Sequence, residues 1–407
     1  MPATLPDGES APEDGALPAG AVAEFGTRPF GIYLHVPFCA TRCGYCDFNT
    51  YTADELGAEP GASRASWADA AIAELAFARR VLGERDVPVS TVFVGGGTPT
   101  LLPPADLGRV VTAIGTEFGL APDAEITTEA NPESVSPHTL EQLRAAGFTR
   151  ISLGMQSALP HVLAVLDRVH TPGRPAAAVA EAQEAGFEHV NLDLIYGTPG
   201  EGPSDWRRSL DAAIAAGPDH ISAYALIVEE GTRLAANIRR GMIAAPDADD
   251  QADKYDVADD MLAAAGFTWY EVSNWARTPD ARCRHNELYW TGGHWWGAGP
   301  GAHSHIGGTR WWNVKHPAAW AARLASGSSP AHGREVLDAD TRRTERILLE
   351  TRLVNGLDVT VLDDRGRIAA DALVADGLAN ASALAAGQVV LTRRGRLLAD
   401  AVVHRLT

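Results

Sequence analysis

The chain of 407 residues has few cysteines, a deficit of basic residues and no long apolar run, and each shortage excludes a class of protein. Four cysteines are too few for a disulfide framework in a chain of this length. The 34 Lys and Arg residues against 52 Asp and Glu give a formal charge of −18, which argues against a nucleic-acid partner. No apolar run approaches the roughly 20 residues that span a bilayer, and no export signal is recognisable. We therefore expect a cytoplasmic protein without a transmembrane segment.

What the chain does contain is an alternation of short apolar runs with Ala- and Leu-rich segments of helical spacing. Six runs are typical of strands: residues 32–35, 89–94, 125–129, 150–153, 189–194 and 220–226. The helical segments are residues 67–82, 137–146, 175–185 and 205–216. Three helices are expected to end at an Ala-Gly-Phe sequence, because glycine suits the left-handed position after a helix. This α/β alternation predicts a parallel sheet with right-handed crossovers. Six units favour a partial (β/α)6 barrel, and a doubly wound open sheet is the alternative.

Composition divides the chain into four segments. Residues 1–28, rich in Ala, Pro, Gly and acidic residues, are expected to form a disordered tail. Residues 29–265 hold the predicted barrel. Residues 266–330 form an extension rich in Trp, Gly and His, which contains eight of the ten tryptophans. Residues 331–407 are expected to form a small C-terminal α+β domain of winged-helix type.

Three of the four cysteines crowd into one loop after the first predicted strand. Cys39, Cys43 and Cys46 have the spacing C-x3-C-x2-C. An iron–sulfur cube has four irons and ordinarily takes four thiolates, so three thiols leave one iron open to an outside ligand. A structural zinc held by these cysteines and His35, or three unrelated core cysteines, are the alternatives. Neither gives a reason for this asymmetric spacing.

The cysteine pattern, together with Tyr-x-His-x-Pro-Phe-Cys at residues 33–39, resembles the radical S-adenosylmethionine (SAM) superfamily. Within it, the chain is similar to the group of oxygen-independent coproporphyrinogen III oxidases and HemW-type haem chaperones, from about Phe30 to the C-terminus. In that superfamily the amino and carboxylate groups of SAM fill the open iron. The resemblance implies a radical-SAM-type partial barrel, a [4Fe–4S] cluster and SAM.

Further polar groups fall at the ends of successive predicted strands. Gly95-Gly96-Gly97-Thr98 follows the second strand, and glycines let a ligand approach the backbone closely. Glu129, Gln156 and Asp193 lie at the third, fourth and fifth strands, and Arg168 lies on the connection between the last two. Because the carboxyl ends of barrel strands share one face, these groups are expected to meet at one ligand. Carboxylates suit ribose hydroxyls and a cationic sulfonium.

The resemblance divides these residues between two ligands. It assigns Tyr33, Gly96 and Glu129 to the SAM on the cluster. It assigns to a second SAM-like site, seen in the oxidase, Tyr45, Gly97, Thr98, Gln156, Arg168 and Asp193. Whether this chain has the second site is left open.

The aromatic-rich extension contains the candidate haem ligands. His285 begins a His-Asn-x-x-Tyr-Trp segment that resembles one in HemW-type proteins, and His or Cys can be an axial ligand of haem iron. His303, His305 and Cys283 are the other candidates. His285 is the candidate that the resemblance favours.

One departure separates the two family members. The oxidase carries a fourth cysteine two residues beyond the triad, whereas here Cys46 is followed by Asp47 and Phe48. The resemblance then implies a haem chaperone, which passes haem to acceptors such as respiratory cytochromes, rather than a coproporphyrinogen dehydrogenase. The alternatives are radical decarboxylation of propionates to vinyl groups and a non-haem radical SAM methyltransferase. A homodimer is left open.

Overall fold

The computed structural model of the protein describes residues 6–56 and 63–407. Over these residues the strands are β1 (Glu9–Ser10), β2 (Phe30–Val36), β3 (Val89–Gly96), β4 (Leu120–Ala130), β5 (Arg150–Gln156), β6 (His189–Tyr196), β7 (His220–Ala225), β8 (Thr268–Glu271), β9 (Asn274–Ala276), β10 (His294–Ala298), β11 (His303–Ile306), β12 (Thr309–Asn313), β13 (Ala331–Val336), β14 (Leu357–Asp358) and β15 (Gln388–Val389). The helices are α1 (Ala19–Glu24), α2 (Ala53–Leu56), α3 (Arg64–Leu82), α4 (Pro104–Phe118), α5 (Pro137–Ala145), α6 (Pro160–Val165), α7 (Arg174–Glu184), α8 (Pro203–Ala215), α9 (Arg233–Arg239), α10 (Ala248–Ala264), α11 (Arg284–Trp290), α12 (Pro317–Ala325), α13 (Ala339–Glu350), α14 (Asp364–Ala375), α15 (Ala381–Ala385), α16 (Arg393–Leu397) and α17 (Ala399–Leu406).

The six predicted strands form the parallel centre of one large sheet. Strands β2 to β7 lie side by side in chain order, and each pairs in parallel with the next. A doubly wound sheet reverses its strand order at a switch point, and no reversal occurs within these six strands. The partial barrel is therefore confirmed, and the doubly wound alternative is wrong.

The aromatic-rich extension supplies strands to both sides of this barrel. β10 pairs in parallel with β2, and β11, β12, β13 and β1 continue the sheet in antiparallel pairs. On the other side β9 and β8 follow β7. The strand order is linear, so the barrel stays incomplete. Trp296, Trp311 and Trp320 are buried in the same hydrophobic core as the barrel strands.

The predicted Ala-Gly-Phe helix ends are confirmed. Each glycine has a left-handed backbone, with φ of +98°, +85° and +86° at Gly147, Gly186 and Gly266. The N–H of each following Phe donates to the carbonyl five residues earlier, at 3.1, 3.1 and 2.9 Å. The three Phe rings are buried, so each helix end is fixed directly before the strand that follows.

The expectation of a disordered tail over residues 1–28 is wrong for residues 6–28, while residues 1–5 lie outside the described residues. Glu9–Ser10 pairs with the edge strand β13. Phe25 is buried with its ring 5.0 Å from that of Phe30, and Glu24 accepts two hydrogen bonds from Arg342 at 2.8 and 2.7 Å. The segment covers an otherwise open sheet edge, a requirement that its own composition does not reveal.

The last part of the chain has a hydrophobic core of its own, between Ile347 and Leu406. β13 belongs to the large sheet, so the predicted boundary at residue 331 falls before a barrel-sheet strand instead of after it. This unit contains α13 to α17 and the β14–β15 pair. Its winged-helix assignment stays a prediction. No helix in the described ranges has the length and apolarity that crossing a membrane requires.

Candidate functional site

The three clustered cysteines lie on a loop, residues 37–51, whose ends are joined by hydrogen bonds. The Cys39 N–H donates to the Tyr51 carbonyl at 3.0 Å, and the Tyr51 N–H donates to the Pro37 carbonyl at 2.7 Å. The Cys46 N–H donates to the Cys43 carbonyl at 3.2 Å. Cys39 is buried, and Cys43 and Cys46 are half-buried. The loop therefore presents three thiols at the carboxyl end of β2.

Two distant segments hold this loop from the other side. The Gly44 N–H donates to the Leu166 carbonyl at 3.0 Å, and the Leu234 N–H donates to the Gly44 carbonyl at 2.8 Å. A side chain at Gly44 would collide with the Asp167 carboxylate. The middle of the C-x3-C-x2-C loop is thus fixed between the turn after α6 and the start of α9.

The buried carboxylate of Glu74 stabilises the cysteine loop indirectly, through the backbone next to Pro300. The Asn49 side chain donates to the Pro300 and Lys315 carbonyls at 3.0 and 2.9 Å. The backbone next to Pro300 is held in turn by Glu74, which accepts the Gly299 N–H at 2.8 Å. Glu74 is fully buried, and burial raises its pKa to about 7. Glu74 was not identified from the sequence. An acidic residue on the apolar side of the predicted helix at 67–82 was the signal that could have indicated a buried, functional carboxylate.

The glycine run after β3 lies directly against the cysteine loop. The Gly97 N–H donates to the Val36 carbonyl at 2.8 Å, and the Thr98 N–H donates to the Phe38 carbonyl at 2.7 Å. A Cβ atom on Gly97 would lie 2.8 Å from the Phe38 carbonyl carbon and 3.0 Å from the Cys39 Sγ. Because the nearest neighbours are backbone atoms, only glycine fits here.

The predicted residues converge on one cavity of about 580 Å³. All three cysteines line it, together with eight of the nine residues predicted to contact SAM: Tyr45, Gly96, Gly97, Thr98, Glu129, Gln156, Arg168 and Asp193. Gln156 has a left-handed backbone with φ of +64°, which is costly for a residue with a side chain and is found mainly at functional sites.

The remaining two predicted residues, Tyr33 and His285, line a second, inner cavity of about 200 Å³. The Tyr33 hydroxyl is hydrogen-bonded to His35 Nδ1 at 2.9 Å. The two cavities share four wall residues: Glu129, Ser152, Asp193 and Tyr224. Sequence reasoning missed Ser152 and Tyr224, although Tyr224 lies at the carboxyl end of the sixth predicted strand, where the same rule applies.

The wall between the cavities carries two acidic side chains. Glu129 accepts the Gly96 N–H at 3.0 Å. Burial, and secondarily the charge of Asp193, raise the pKa of Glu129 to about 7. Asp193 accepts hydrogen bonds from Ser152 and Asn191, both at 2.7 Å, and burial raises its pKa. A cationic ligand would favour the ionised form of both groups.

His285 does not offer a nitrogen to haem iron. Its ring is fully buried, with Nδ1 hydrogen-bonded to Thr91 at 2.8 Å and Nε2 to the Tyr289 hydroxyl at 2.8 Å. Burial lowers its pKa to about 3. The inner cavity is also smaller than the roughly 300–1,000 Å³ of ordinary small-molecule pockets. Against the sequence-based expectation, we therefore place no haem iron on His285.

The other haem-ligand candidates are scattered. Cys283 is buried, with its Sγ 3.7 Å from Glu125. His305 Nδ1 is bonded to the Gly293 carbonyl at 3.1 Å, and the His303 ring stacks on Trp312 at 5.9 Å. Neither histidine lines either of the two cavities, whereas Cys283 lines the inner one.

The donor set fits a cluster better than a zinc ion. His35 has no free ring nitrogen, because Nδ1 bonds Tyr33 and Nε2 bonds the Asn49 carbonyl at 2.9 Å. In the described part of the chain, no three His, Cys, Asp or Glu side chains converge as ligands of a single metal ion. In an iron–sulfur cube each cysteine thiolate binds a different iron. The three cysteine sulfurs that hold a cube therefore do not converge on one point. His35 is therefore not placed to complete a zinc site with the three cysteines.

Comparison with known proteins gives one consistent result. The radical SAM superfamily is matched over residues 33–213. The haem chaperone HemW of Mycobacterium tuberculosis is 58% identical over 380 residues, which cover 93% of this chain and 95% of that protein. HemW of Bacillus subtilis is 30% identical over 376 residues, covering 91% and 97%. Among solved structures, coproporphyrinogen III oxidase (HemN) from Escherichia coli matches with a TM-score of 0.79 at 24% identity, covering 95% of this chain and 92% of that one. At 24% identity, the likeness to HemN establishes the fold alone.

Proposed function

Because the chain belongs to the HemW family of the radical SAM superfamily, we propose that it is a haem chaperone that binds a [4Fe–4S] cluster and SAM at the barrel mouth. The observation that carries this proposal is the joint lining of one cavity by three thiols and eight predicted SAM contacts. Haem would be delivered to acceptor proteins such as respiratory cytochromes. A cytoplasmic location and a homodimer are part of the same proposal.

The chain's own residues have distinct tasks at this site. Cys39, Cys43 and Cys46 would hold the cluster, which when bound supplies an open iron for SAM and a source of one electron. The backbone of Gly96 and Gly97 gives a ligand close access, because no side chain stands between it and β3. Glu129 would attract the positive charge of SAM.

The cavity rim provides an apolar surface suited to haem. Ten large hydrophobic side chains are exposed in the described residues, and four of them line this one cavity: Phe48, Val169, Tyr224 and Ile227. Val169 is 86% and Ile227 67% exposed. Clustered exposed apolar groups mark binding sites, and a flat macrocycle would remove them from water. We therefore place haem against this rim.

The second candidate function is radical decarboxylation of coproporphyrinogen III, as the fold likeness to HemN allows. Phe48 stands where the oxidase carries its fourth cysteine, which favours the carrier. The deciding experiment gives anaerobic, cluster-loaded protein either haem or coproporphyrinogen III with SAM. We expect one haem bound per chain and its transfer to an apo-cytochrome. Formation of protoporphyrinogen would instead establish the oxidase.

A matched pair of variants tests the rim. Replacing Phe48 and Val169 together by serine removes two apolar contacts, each worth about 1 kcal/mol at half burial, so haem should bind roughly tenfold or more weakly. The control is Ile368→Ser, which changes a side chain that is 70% exposed on α14, away from the cavity. Equal haem affinity in all three proteins would count against the rim.

SAM affinity should rise with pH through the titration of Glu129. Since burial places its pKa at about 7, the carboxyl is mostly neutral at pH 6 and mostly ionised at pH 8. The ionised form attracts cationic SAM, so the affinity should increase about tenfold between these pH values. Equilibrium dialysis of SAM, compared between wild type and Glu129→Gln, cancels the titration of SAM itself. Parallel pH profiles in the two proteins would contradict this role.

A further inference from the structure

Arg168 joins the cysteine loop to the wall of the cavity. Its Nη1 donates to the Sγ atom of Cys43 at 3.6 Å, and its Nη2 donates to the Gly154 carbonyl at 2.9 Å. Its Nε is buried and has no partner in the described residues. A buried N–H without a hydrogen-bond partner lowers the stability of the folded protein. The position of Arg168 is therefore better explained by a functional role at the site than by stability.

The structure fixes this guanidinium from both ends. The Arg168 N–H donates to the Leu163 carbonyl at 2.9 Å, which closes the end of α6. The preceding residue, Asp167, has a left-handed backbone with φ of +51°. At the other end, a Cβ atom on Gly154 would lie 2.8 Å from Nη2. The contact of Arg168 with Cys43 therefore depends on the absence of a side chain at Gly154.

We propose that Arg168 tunes the cluster: its N–H···S hydrogen bond to the Cys43 thiolate raises the reduction potential of the [4Fe–4S] centre. The inference rests on the proposed function, because it requires the cluster. Reduction adds one electron to the cluster, and a cation that donates to a ligand sulfur stabilises the more negative, reduced form. Arginine stays protonated throughout the accessible pH range. Arg42, on the same loop, donates instead to Thr50 and, at 3.1 Å, to Glu55.

The test is an anaerobic redox titration of the cluster-loaded protein without SAM, with dithionite as the reductant and the reduced cluster followed by electron paramagnetic resonance. In Arg168→Gln the ratio of reduced to oxidised cluster at a fixed potential should fall about tenfold, equivalent to about 59 mV for a one-electron couple. Gly154→Ala should shift it in the same direction, because the guanidinium is displaced while its charge remains.

The matched control is Arg233→Gln. Its side chain is 73% exposed and pairs with Asp167 at 3.5 Å, so the same charge is removed nearby without touching a sulfur. We expect an unchanged potential in this variant. A shift as large as that in Arg168→Gln would show a general charge effect and overturn the hydrogen-bond proposal.

Iron and sulfide contents separate this inference from the proposed function. Wild-type protein that stays free of iron after reconstitution would refute the cluster, and the proposed function with it. Wild type and Arg168→Gln that both load the cluster and share one potential would refute only the tuning role. Should Arg168→Gln fail to retain iron, the Gly154→Ala titration decides: a lowered potential supports the proposal and an unchanged one rejects it.

Discussion

Cys43→Ser should purify without its iron–sulfur cluster, with iron and sulfide at background and the brown visible absorption lost. The triad supplies all the thiolates of the cluster, and a serine hydroxyl is a far poorer ligand for iron than a thiolate. The Cys43 side chain is half-buried, and the hydrogen bond it makes is with Arg168. The far-ultraviolet circular dichroism should therefore stay that of the folded protein. Metal analysis after anaerobic reconstitution is the measurement.

Cys283→Ser is the matched control for this variant. It makes the same sulfur-to-oxygen change at the one cysteine outside the loop, where the Sγ faces Glu125 at 3.7 Å. Its iron content should equal that of wild type. Full iron in Cys43→Ser would contradict the ligand assignment, and loss of iron from both variants would indicate that the fold, not the ligand, had been disturbed.

The barrel was predictable from sequence because its signals are local. The apolar run at residues 189–194 became β6, His189–Tyr196, and the run at 150–153 became β5, Arg150–Gln156. The pairing of Glu9–Ser10 with β13 was not predictable, since its partner residues lie more than 300 positions away. Glu9–Ser10 forms a strand because the edge of β13 would otherwise be unpaired. Nothing within residues 1–28 encodes the presence of that edge.

The same contrast holds for the site. Glu129 and Asp193 were found because they lie at the carboxyl ends of parallel strands, and that rule needs only the strand order. The rule does not predict the environment of His285: its Nδ1 is bonded to Thr91 on β3, far away in sequence, and its Nε2 to Tyr289, one turn further along α11. A motif shows which side chain is present, whereas the hydrogen bonds that use up its nitrogens appear only in the folded chain.

Gly97→Ala should weaken SAM binding by about a hundredfold or more and reduce cluster retention. Its Cβ would lie 2.8 Å from the Phe38 carbonyl carbon and 3.0 Å from the Cys39 sulfur. The strand end cannot move away without breaking the bonds from Gly97 to Val36 and from Thr98 to Phe38, at 2.8 and 2.7 Å. The clash must therefore displace the cysteine loop or the glycine run, and both line the cavity. Iron content and equilibrium dialysis of SAM measure the two losses.

Gly115→Ala separates this clash from the general effect of adding a methyl group. It lies within α4, and its added Cβ would meet Leu120 at 3.8 Å, an ordinary contact. Alanine is a better helix former than glycine by roughly 0.5–1 kcal/mol, so this variant should keep its iron and SAM affinity while its Tm rises slightly. If Gly97→Ala bound SAM as tightly as Gly115→Ala, the close approach of β3 to the cysteine loop would have no part in forming the site. Only a difference between these two glycines assigns the loss to the atoms around Cys39.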